Sequence, residues 1–182
     1  MTKTILVLTG SPRKRGNTNR LAEEFVRGAQ DAGHRVETID VTALTVHGCL
    51  GCGACQRNGG TCVQHDDMDS IYGQWLAADA VVLASPVYFY TWTSQMKAVL
   101  DRTFAIEQRV QDTTFCLIAA GAAPEERYMQ HMLESFRSYV GCFRAGGNAE
   151  GGHVFGLGVN APGDVDGSDA TRQAYQLGYG MS

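Results

Sequence analysis

The sequence predicts an α/β protein built on a doubly wound parallel sheet with helices on both faces. Short apolar runs alternate along the chain with longer stretches in which apolar residues recur at helical spacing. Strands that alternate with helices in this way are typical of a parallel sheet. The length of 182 residues and the 44% share of hydrophobic residues suit one α/β domain with a sizeable core.

The strands are predicted from their apolar runs. "KTILVLTG" and "AVVLASPVYF" indicate buried strands, whereas "HRVETIDV" indicates a half-buried strand and "GGHVFGLGV" a weak, glycine-rich one. The five strands are predicted at residues 3–10, 34–41, 80–89, 113–121 and 151–159.

The helices are predicted from their apolar faces and their ends. The first carries Leu21, Phe25 and Ala29 on one face and stops at Gly33. The second opens with acidic residues, the fourth has a proline in its first turn, and the last has a Ser or Asp cap. The helices are predicted at residues 18–33, 66–79, 93–108, 124–141 and 168–180. No repeat or linker divides the chain, so we expect a single domain over residues 1–182.

Composition excludes several classes of function. The net charge of -4 argues against a protein that coats nucleic acid or an anionic membrane. No apolar stretch reaches the length of a membrane span, and the N-terminus does not resemble a signal peptide, so we expect a cytoplasmic protein. In that compartment the six cysteines are not expected to form a disulfide framework.

The loop "GSPRKRGNTN" between the first strand and the first helix predicts a phosphate site. A helix N-terminus presents free N–H groups and a partial positive charge. Ser11, Thr18 and Asn19 add side-chain donors, and Arg13 adds a fixed charge. The loop is neither a P-loop nor a dinucleotide fingerprint, so it favours a phosphomonoester. The alternative is a solvated loop that caps the helix.

Two segments together resemble a known family. "GSPRKRGNTNRLAEEF" and "ASPVYFYTWTSQMKAVLDR" resemble the NAD(P)H-dependent FMN reductase family of flavodoxin-like folds. "CLGCGACQRNGGTC" followed by "DDM" is most similar to the iron–sulfur flavoprotein branch. The resemblance covers about residues 3–125, and beyond them it is confined to "GVNAPGDV". It implies the flavodoxin-like strand order 2-1-3-4-5.

The resemblance also implies bound FMN. The phosphate would be held by Ser11, Arg13, Asn17, Thr18 and Asn19, and the isoalloxazine ring would lie along Pro86, Val87, Tyr88 and Phe89. Gly121, in the loop after the fourth strand, would approach the other side of the flavin. The aromatic residues that end at Trp92 provide a platform for a ring, although packing in the core or at a subunit interface is the alternative for Phe89 and Trp92.

Four cysteines within residues 47–65 form a second candidate site. Cys49, Cys52, Cys55 and Cys62 have the spacing C-x2-C-x2-C-x6-C, and neighbouring glycines let the chain wrap around a cubic iron–sulfur cluster. The resemblance implies that Cys62 would be the fourth ligand of a [4Fe-4S] cluster. Zinc bound by the same thiolates, a transient disulfide and empty thiols at an interface remain alternatives.

Other polar residues have simpler explanations. Asp66 and Asp67 suit a helix start, and Asp101 and Arg102 are expected to be surface or interface charges. His65 is expected to cap a helix. Cys116 and Cys142 are expected to be ordinary buried cysteines.

The leading hypothesis is an enzyme that moves electrons from NAD(P)H through FMN to a quinone, a flavin or another small acceptor. The redox chemistry belongs to the cofactor, so no side chain is named as catalytic. The second hypothesis is an iron–sulfur flavoprotein that carries electrons to a ferredoxin-like partner. The third is a domain that binds a phosphate ligand without redox chemistry. The resemblance implies a homodimer or homotetramer, and nothing in the sequence indicates a nucleic-acid or membrane partner.

Overall fold

The computed structural model describes residues 1–143 and 145–182. These residues contain one five-stranded sheet. The strand order β2-β1-β3-β4-β5, with every neighbouring pair parallel, confirms the predicted topology. The strands are β1 (Thr4–Thr9), β2 (Arg35–Asp40), β3 (Ala80–Pro86), β4 (Thr114–Ala120) and β5 (Ala149–Gly156).

Helices cover both faces of the sheet. They are α1 (Asn17–Asp31), the short α2 (Ala54–Arg57), α3 (Met68–Leu76), α4 (Ser94–Arg102), α5 (Gln130–Val140) and α6 (Asp169–Tyr179). Side chains alternate along β1, so that Ile5 and Val7 pack under α1 and α6 while Leu6 and Leu8 pack under α3, α4 and α5. Within the described residues, none of the helices has both the length and the hydrophobicity that a membrane span requires.

Several predicted boundaries were wrong, and each has a local cause. β3 ends at Pro86 rather than at residue 89, because the following residues form a tight turn. The helix predicted over residues 93–108 ends at Arg102, where the Thr103 hydroxyl donates to the carbonyl of Leu100 and a 3-10 turn over Thr103–Ala105 follows. The helix predicted over residues 124–141 begins with the 3-10 turn Glu126–Met129, and only then continues as α5.

Two glycines let α1 and α6 approach each other closely. A Cβ atom built on Gly28 would lie 2.1 Å from the carbonyl oxygen of Tyr175, and one on Gly178 would lie 2.1 Å from that of Phe25. Neither distance leaves room for a methyl group, because the facing atoms belong to the rigid backbone. The contact between the two helices therefore requires glycine at both positions.

We predict that Gly28→Ala lowers the free energy of unfolding by about 1–3 kcal/mol, because the added methyl group forces the two helices apart. Urea denaturation measures the change. Gly73→Ala is the matched control: Gly73 is exposed within α3, and an added Cβ meets nothing within 4 Å. This control should gain up to about 1 kcal/mol from helix propensity. Equal effects of the two substitutions would contradict the packing argument.

Candidate functional site

A cleft opens where β1, β3 and β4 end. The carboxyl ends of parallel strands lie at one edge of the sheet, and the loops that follow them therefore meet there. The cleft has a volume of about 140 Å³. It is lined by Ser11, Arg13, Gly16, Asn17, Thr18, Pro86, Val87, Tyr88, Ala120, Gly121, Ala122, Val159, Asn160 and Pro162. Among the residues predicted to bind FMN, Asn19 and Phe89 lie outside this lining.

The start of α1 presents unpaired backbone donors to the cleft. The helix begins after Gly16, and no side chain caps it. The N–H groups of Asn17, Thr18 and Asn19 donate no hydrogen bond to any other described residue. A Cβ atom on Gly16 would lie 2.8 Å from the Ser11 hydroxyl oxygen, so only glycine fits between Ser11 and the helix. This arrangement is a ready-made site for an anion.

A segment near the C-terminus closes the cleft and is held by the first loop. The Arg13 guanidinium donates to the carbonyl of Asn160 at 2.8 Å, and the Asn17 amide donates to the carbonyl of Ala161 at 2.9 Å. The Asn17 side-chain oxygen also accepts from the N–H of Val165. The amide of Asn17 is therefore engaged by the protein itself. The sequence pattern "GVNAPGDV" marked this segment, but it did not identify Val159, Asn160 and Pro162 as part of a site.

Thr93 joins the first loop to the second, a role that its sequence position does not reveal. Its hydroxyl donates to the carbonyl of Gly10 at 2.9 Å, and its N–H donates to the Ser85 hydroxyl at 3.2 Å. A Cβ atom on Gly10 would lie 2.9 Å from the Cβ of Met96, so the loop packs directly on α4. The two loops are consequently fixed relative to each other.

An aromatic turn stands at the lip of the cleft. Tyr88 and Thr91 exchange backbone hydrogen bonds around Phe89 and Tyr90, whose φ angles are 48° and 68°. This is the geometry of a type I′ turn, which favours Asn or Gly because both central residues are left-handed. Aromatic residues there are strained by about 1–3 kcal/mol each. Phe89 is nonetheless 98% exposed, whereas Trp92 is buried in the core and its indole N–H donates to Ser135.

Gly121 lines the third side of the cleft. Its N–H donates to the carbonyl of Gly156, and its carbonyl accepts from the N–H of Val159. A Cβ atom on Gly121 would lie 3.1 Å from the terminal methyl group of Met129 and 3.5 Å from the Cβ of Val87. A side chain at this position would therefore crowd the neighbouring cleft wall.

A buried ion pair holds the two ends of the cysteine loop together. Arg102, which is 2% exposed, contacts Asp66 with both terminal nitrogens at 2.8 and 3.1 Å. The same nitrogens donate to the carbonyls of His47 and Gln64, which lie at the two ends of the loop. The expectation that Arg102 is a surface or interface charge was therefore wrong. Its partner lies 36 residues away, and no sequence pattern links them.

Burial and hydrogen bonding act in opposite directions on this pair. Burial of the Asp66 carboxyl opposes its ionisation, but the hydrogen bonds that it accepts from Arg102 and from the N–H groups of His47 and Met68 outweigh burial and lower its pKa. Burial likewise opposes the charge of Arg102, and the hydrogen bond to Asp66 more than compensates and raises the pKa of the guanidinium. Both groups remain charged at neutral pH.

The thiols of the cysteine loop are spread over its surface. Cys49 and Cys52 are exposed, and Cys55 and Cys62 are half-buried. In the part of the chain that the structure describes, no three His, Cys, Asp or Glu side chains lie close enough together to hold a metal ion. The four thiols as arranged therefore do not fit a cluster.

The other two cysteines differ from each other. Cys116 is buried as predicted, and burial raises the pKa of its thiol to about 12. Cys142 is exposed, so the expectation that it is buried was wrong. It follows the end of α5, where its thiol donates to the carbonyl of Ser138 at 3.3 Å.

The fold is that of flavodoxin-like proteins, and solved structures share it over almost the whole chain. The chain is similar to an NAD(P)H:quinone oxidoreductase from Methanothermobacter marburgensis, with a TM-score of 0.79 and 15% identity over 98% of this chain and 96% of that one. It is also similar to an azoreductase from Bacillus anthracis, with a TM-score of 0.75 and 17% identity over the full length of both. These likenesses establish the fold.

Sequence comparison identifies the family. Residues 3–150 match the family model of NADPH-dependent FMN reductases, and the chain belongs to this family. It is therefore an NAD(P)H-dependent flavin oxidoreductase. An iron–sulfur flavoprotein from Archaeoglobus fulgidus is 34% identical over 94% of this chain and 75% of the relative. One from Methanocaldococcus jannaschii is 30% identical over 91% of this chain and 88% of the relative.

We predict that Asp66→Asn lowers the free energy of unfolding at pH 7 by about 3–5 kcal/mol, because it leaves the buried charge of Arg102 without its partner. The folded-state pKa of Asp66 lies below its unfolded value, so its contribution is complete above about pH 4 and is lost as the pH falls towards the folded value. The variant should accordingly lose less stability than the wild type on acidification below about pH 4.

Urea denaturation at several pH values measures both effects. Asp69→Asn is the matched control, because among residues 1–143 and 145–182 the charged partner of Asp69 is the exposed His65, at 3.4 Å, and its removal should cost less than about 1 kcal/mol. If the acid dependence of Asp66→Asn equals that of the wild type, the assigned pKa direction is wrong.

Proposed function

We propose that this flavin oxidoreductase passes electrons from NAD(P)H through FMN to a small planar acceptor such as a quinone or a free flavin. The observation that carries the proposal is the uncapped start of α1, whose free N–H groups line a cleft bordered by an aromatic turn. We further propose that residues 1–182 act as one domain.

The cleft fits the phosphate and the sugar-alcohol chain of FMN. Its volume of about 140 Å³ is below that of a whole-ligand pocket, so the flavin ring would extend beyond it towards the open lip. The phosphate would be held by the N–H groups of Thr18 and Asn19, the Ser11 hydroxyl and the Arg13 guanidinium. The ring would lie along Pro86, Val87 and Tyr88, with Gly121 on its other side. Bound FMN supplies hydride acceptance and electron donation.

The chain's own residues would place the flavin and control its surroundings. Thr93 fixes the phosphate loop against the loop after β3, and the Arg13–Asn160 contact closes the phosphate end. In the loop after β3, the N–H groups of Val87 and Tyr88 already donate to the carbonyls of Ala120 and Thr91, so the polar edge of a flavin would bond an N–H further along the loop, such as that of Phe89. No side chain is required to transfer a proton.

The proposed function is tested by adding FMN to the apo-protein, removing free flavin and measuring NADPH oxidation with menadione as the acceptor. The proposal expects a stoichiometric flavin spectrum and steady NADPH consumption. If the protein oxidises NADPH but does not reduce menadione, its acceptor is not a quinone of this kind. A protein that retains no flavin would favour a phosphate-binding domain without redox chemistry.

We predict that Arg13→Gln raises the dissociation constant for FMN about 10–100-fold, because a charge-assisted hydrogen bond to phosphate contributes about 1.5–3 kcal/mol. The dissociation constant for riboflavin, which lacks the phosphate, should not change. Quenching of flavin fluorescence measures both constants. Arg15→Gln is the matched control, since Arg15 is in the same loop but does not line the cleft. Equal losses for FMN and riboflavin would place Arg13 away from the phosphate.

The acceptor is proposed to stack on Phe89. A strained backbone and a fully exposed phenyl ring both cost free energy, and such costs are concentrated at functional sites. Tyr88, next in the chain, lines the cleft, so the ring stands beside the proposed flavin position. Aromatic stacking would favour planar acceptors.

We predict that Phe89→Asn raises the KM for menadione about tenfold and leaves the rate with ferricyanide, an inorganic acceptor that does not stack, unchanged. The same variant should gain about 1 kcal/mol or more in the free energy of unfolding, because Asn tolerates the left-handed turn. Steady-state kinetics and urea denaturation measure these effects. Unchanged menadione kinetics with a changed oligomeric state would instead show that a second copy covers Phe89.

A second candidate function is an iron–sulfur flavoprotein that carries electrons to a ferredoxin-like protein. It is supported by the C-x2-C-x2-C-x6-C spacing and by relatives that are named iron–sulfur flavoproteins. The spread of the thiols weighs against a preformed cluster site. Iron and sulfide assays on protein purified without oxygen test it. About four iron atoms and four sulfides per chain would support a cubic cluster. Values near zero would exclude the cluster and leave flavin-dependent oxidoreduction as the proposed function.

A further inference from the structure

Two further cavities share walls with the flavin cleft. The first, called the basic cavity, has a volume of about 390 Å³ and shares Gly16 and Pro162 with the cleft. The second, called the acidic cavity, has a volume of about 320 Å³ and shares Val159 with it. Both volumes lie in the range of small-ligand sites. A dinucleotide whose nicotinamide reaches the flavin is longer than the cleft, so its adenosine would extend into one of these two cavities.

The basic cavity carries an excess of positive charge. Its walls include Lys14, Arg15, Arg20, Glu23 and Asp166. Arg20 pairs with both carboxylates, at 3.0 Å from Asp166 and 3.6 Å from Glu23. Lys14 and Arg15 are exposed, and neither forms an ion pair within residues 1–143 and 145–182. These two cations therefore remain available to an anion that enters the cavity.

The backbone that carries the two cations is held by its own loop. The carbonyl of Arg13 accepts from the N–H of Gly16 at 2.8 Å and from the side-chain amide of Asn19 at 3.3 Å. The same amide donates to the carbonyl of Lys14 at 3.4 Å. Because these bonds order the loop before any ligand binds, an anion that meets Lys14 and Arg15 does not have to order the backbone, and the entropic cost of binding is lower.

The opposite wall of the basic cavity is the segment that closes the cleft. The Nε–H of Arg20 donates to Asp166, and the N–H of Asp166 donates to the carbonyl of Gly163. Gly163 has a φ of 92°, a backbone conformation that glycine adopts without strain. The Arg20–Asp166 pair thus joins α1 to this wall, and both sides of the cavity are in place without a ligand.

The acidic cavity has the opposite charge. Glu126 and Asp169 line it, and within the described part of the chain neither Lys nor Arg does. Asp169 pairs with Arg172 at 2.9 Å, whereas no cation within 1–143 and 145–182 pairs with Glu126. A phosphate in this cavity would be repelled by Glu126, whereas one in the basic cavity would be attracted. Charge therefore decides which cavity takes the adenosine of a donor that carries an additional phosphate.

We propose that Lys14 and Arg15 determine the specificity for the electron donor by binding the 2′-phosphate of NADPH in the basic cavity. NADPH and NADH differ only by this group, which adds a charge of about −1.5 to −2 at neutral pH. The Arg15 guanidinium offers paired donors to a phosphate, and the Lys14 ammonium offers a compact charge. The inference rests on the proposed function, and it selects NADPH rather than NADH as the donor of that reaction.

The first test measures the KM for NADPH and for NADH with menadione as the acceptor. We expect the wild type to have a lower KM for NADPH, by about tenfold or more. Lys14→Gln and Arg15→Gln should each raise the KM for NADPH about tenfold, and the double variant about 100-fold, because each loses a charge-assisted bond to phosphate. The KM for NADH should not change, since NADH lacks the 2′-phosphate.

A matched variant controls for the change in net charge. Arg35 is an exposed cation at the first residue of β2, at the edge of the sheet opposite the cleft. Arg35→Gln should therefore leave the KM for both dinucleotides unchanged. The FMN dissociation constant of the double variant should equal that of the wild type and thus report an intact flavin site.

The second test measures binding without turnover. Isothermal titration calorimetry on the FMN-loaded protein compares adenosine 2′,5′-bisphosphate, a fragment of NADPH, with 5′-AMP, which lacks the 2′-phosphate. The wild type should bind the bisphosphate about tenfold or more tightly than 5′-AMP. The double variant of Lys14 and Arg15 should bind the two compounds with equal affinity.

The outcomes separate this inference from the proposed function. Equal KM values for the two donors in the wild type, or an unchanged preference in the double variant, would overturn the inference and leave the flavin reaction intact. A preference for NADH that Glu126→Gln removes would also overturn it, because the adenosine would then lie in the acidic cavity. If the wild type oxidises neither dinucleotide, the proposed function fails, and the assignment of NADPH fails with it.

Discussion

Parallel pairing of β1, β3 and β4 is the constraint on which the whole site depends. Because the three strands run the same way and are neighbours, the loops that leave their carboxyl ends meet at one edge of the sheet. The loop after β1, the aromatic turn and Gly121 are separated in sequence but border one cleft for this reason. A parallel strand pair also forces each connection to cross a face of the sheet, and α1 thus begins at the same edge with its free N–H groups directed there.

The features predicted well from sequence are those that depend on local periodicity or on a local motif. The strand order and the FMN reductase family were both confirmed, because long apolar runs and the two flavin segments carry strong local signals. The predicted helix and strand boundaries were wrong where one side chain determines the backbone conformation. The Thr103 hydroxyl has this effect at the end of α4. The sequence did not reveal that Asn160 lines the cleft, because its contact with Arg13 joins residues that are 147 positions apart.

Arg102 shows why buried charges are hard to predict from sequence. A Lys or Arg at the C-terminal end of a helix is normally stabilised by the helix dipole and remains exposed to solvent. Here the cost of removing the guanidinium from water is offset because Asp66 and the carbonyls of His47 and Gln64 accept hydrogen bonds from it. Each partner is unremarkable in sequence, and only the tertiary structure brings them together. Such a pair is weak evidence for stability by itself, because the cost of removing two charges from water is close to what their attraction returns.

Helix α4 connects the two candidate sites physically. Thr93, immediately before its first turn, donates to the carbonyl of Gly10 in the loop after β1, and Arg102, its last residue, donates to the carbonyls of His47 and Gln64 at the two ends of the cysteine loop. The helix has nine residues and spans about 13 Å. Since the helix packs on the core through Met96, Val99 and Leu100, its two ends cannot move independently. The helix therefore holds the loop after β1 and the two ends of the cysteine loop at a fixed separation.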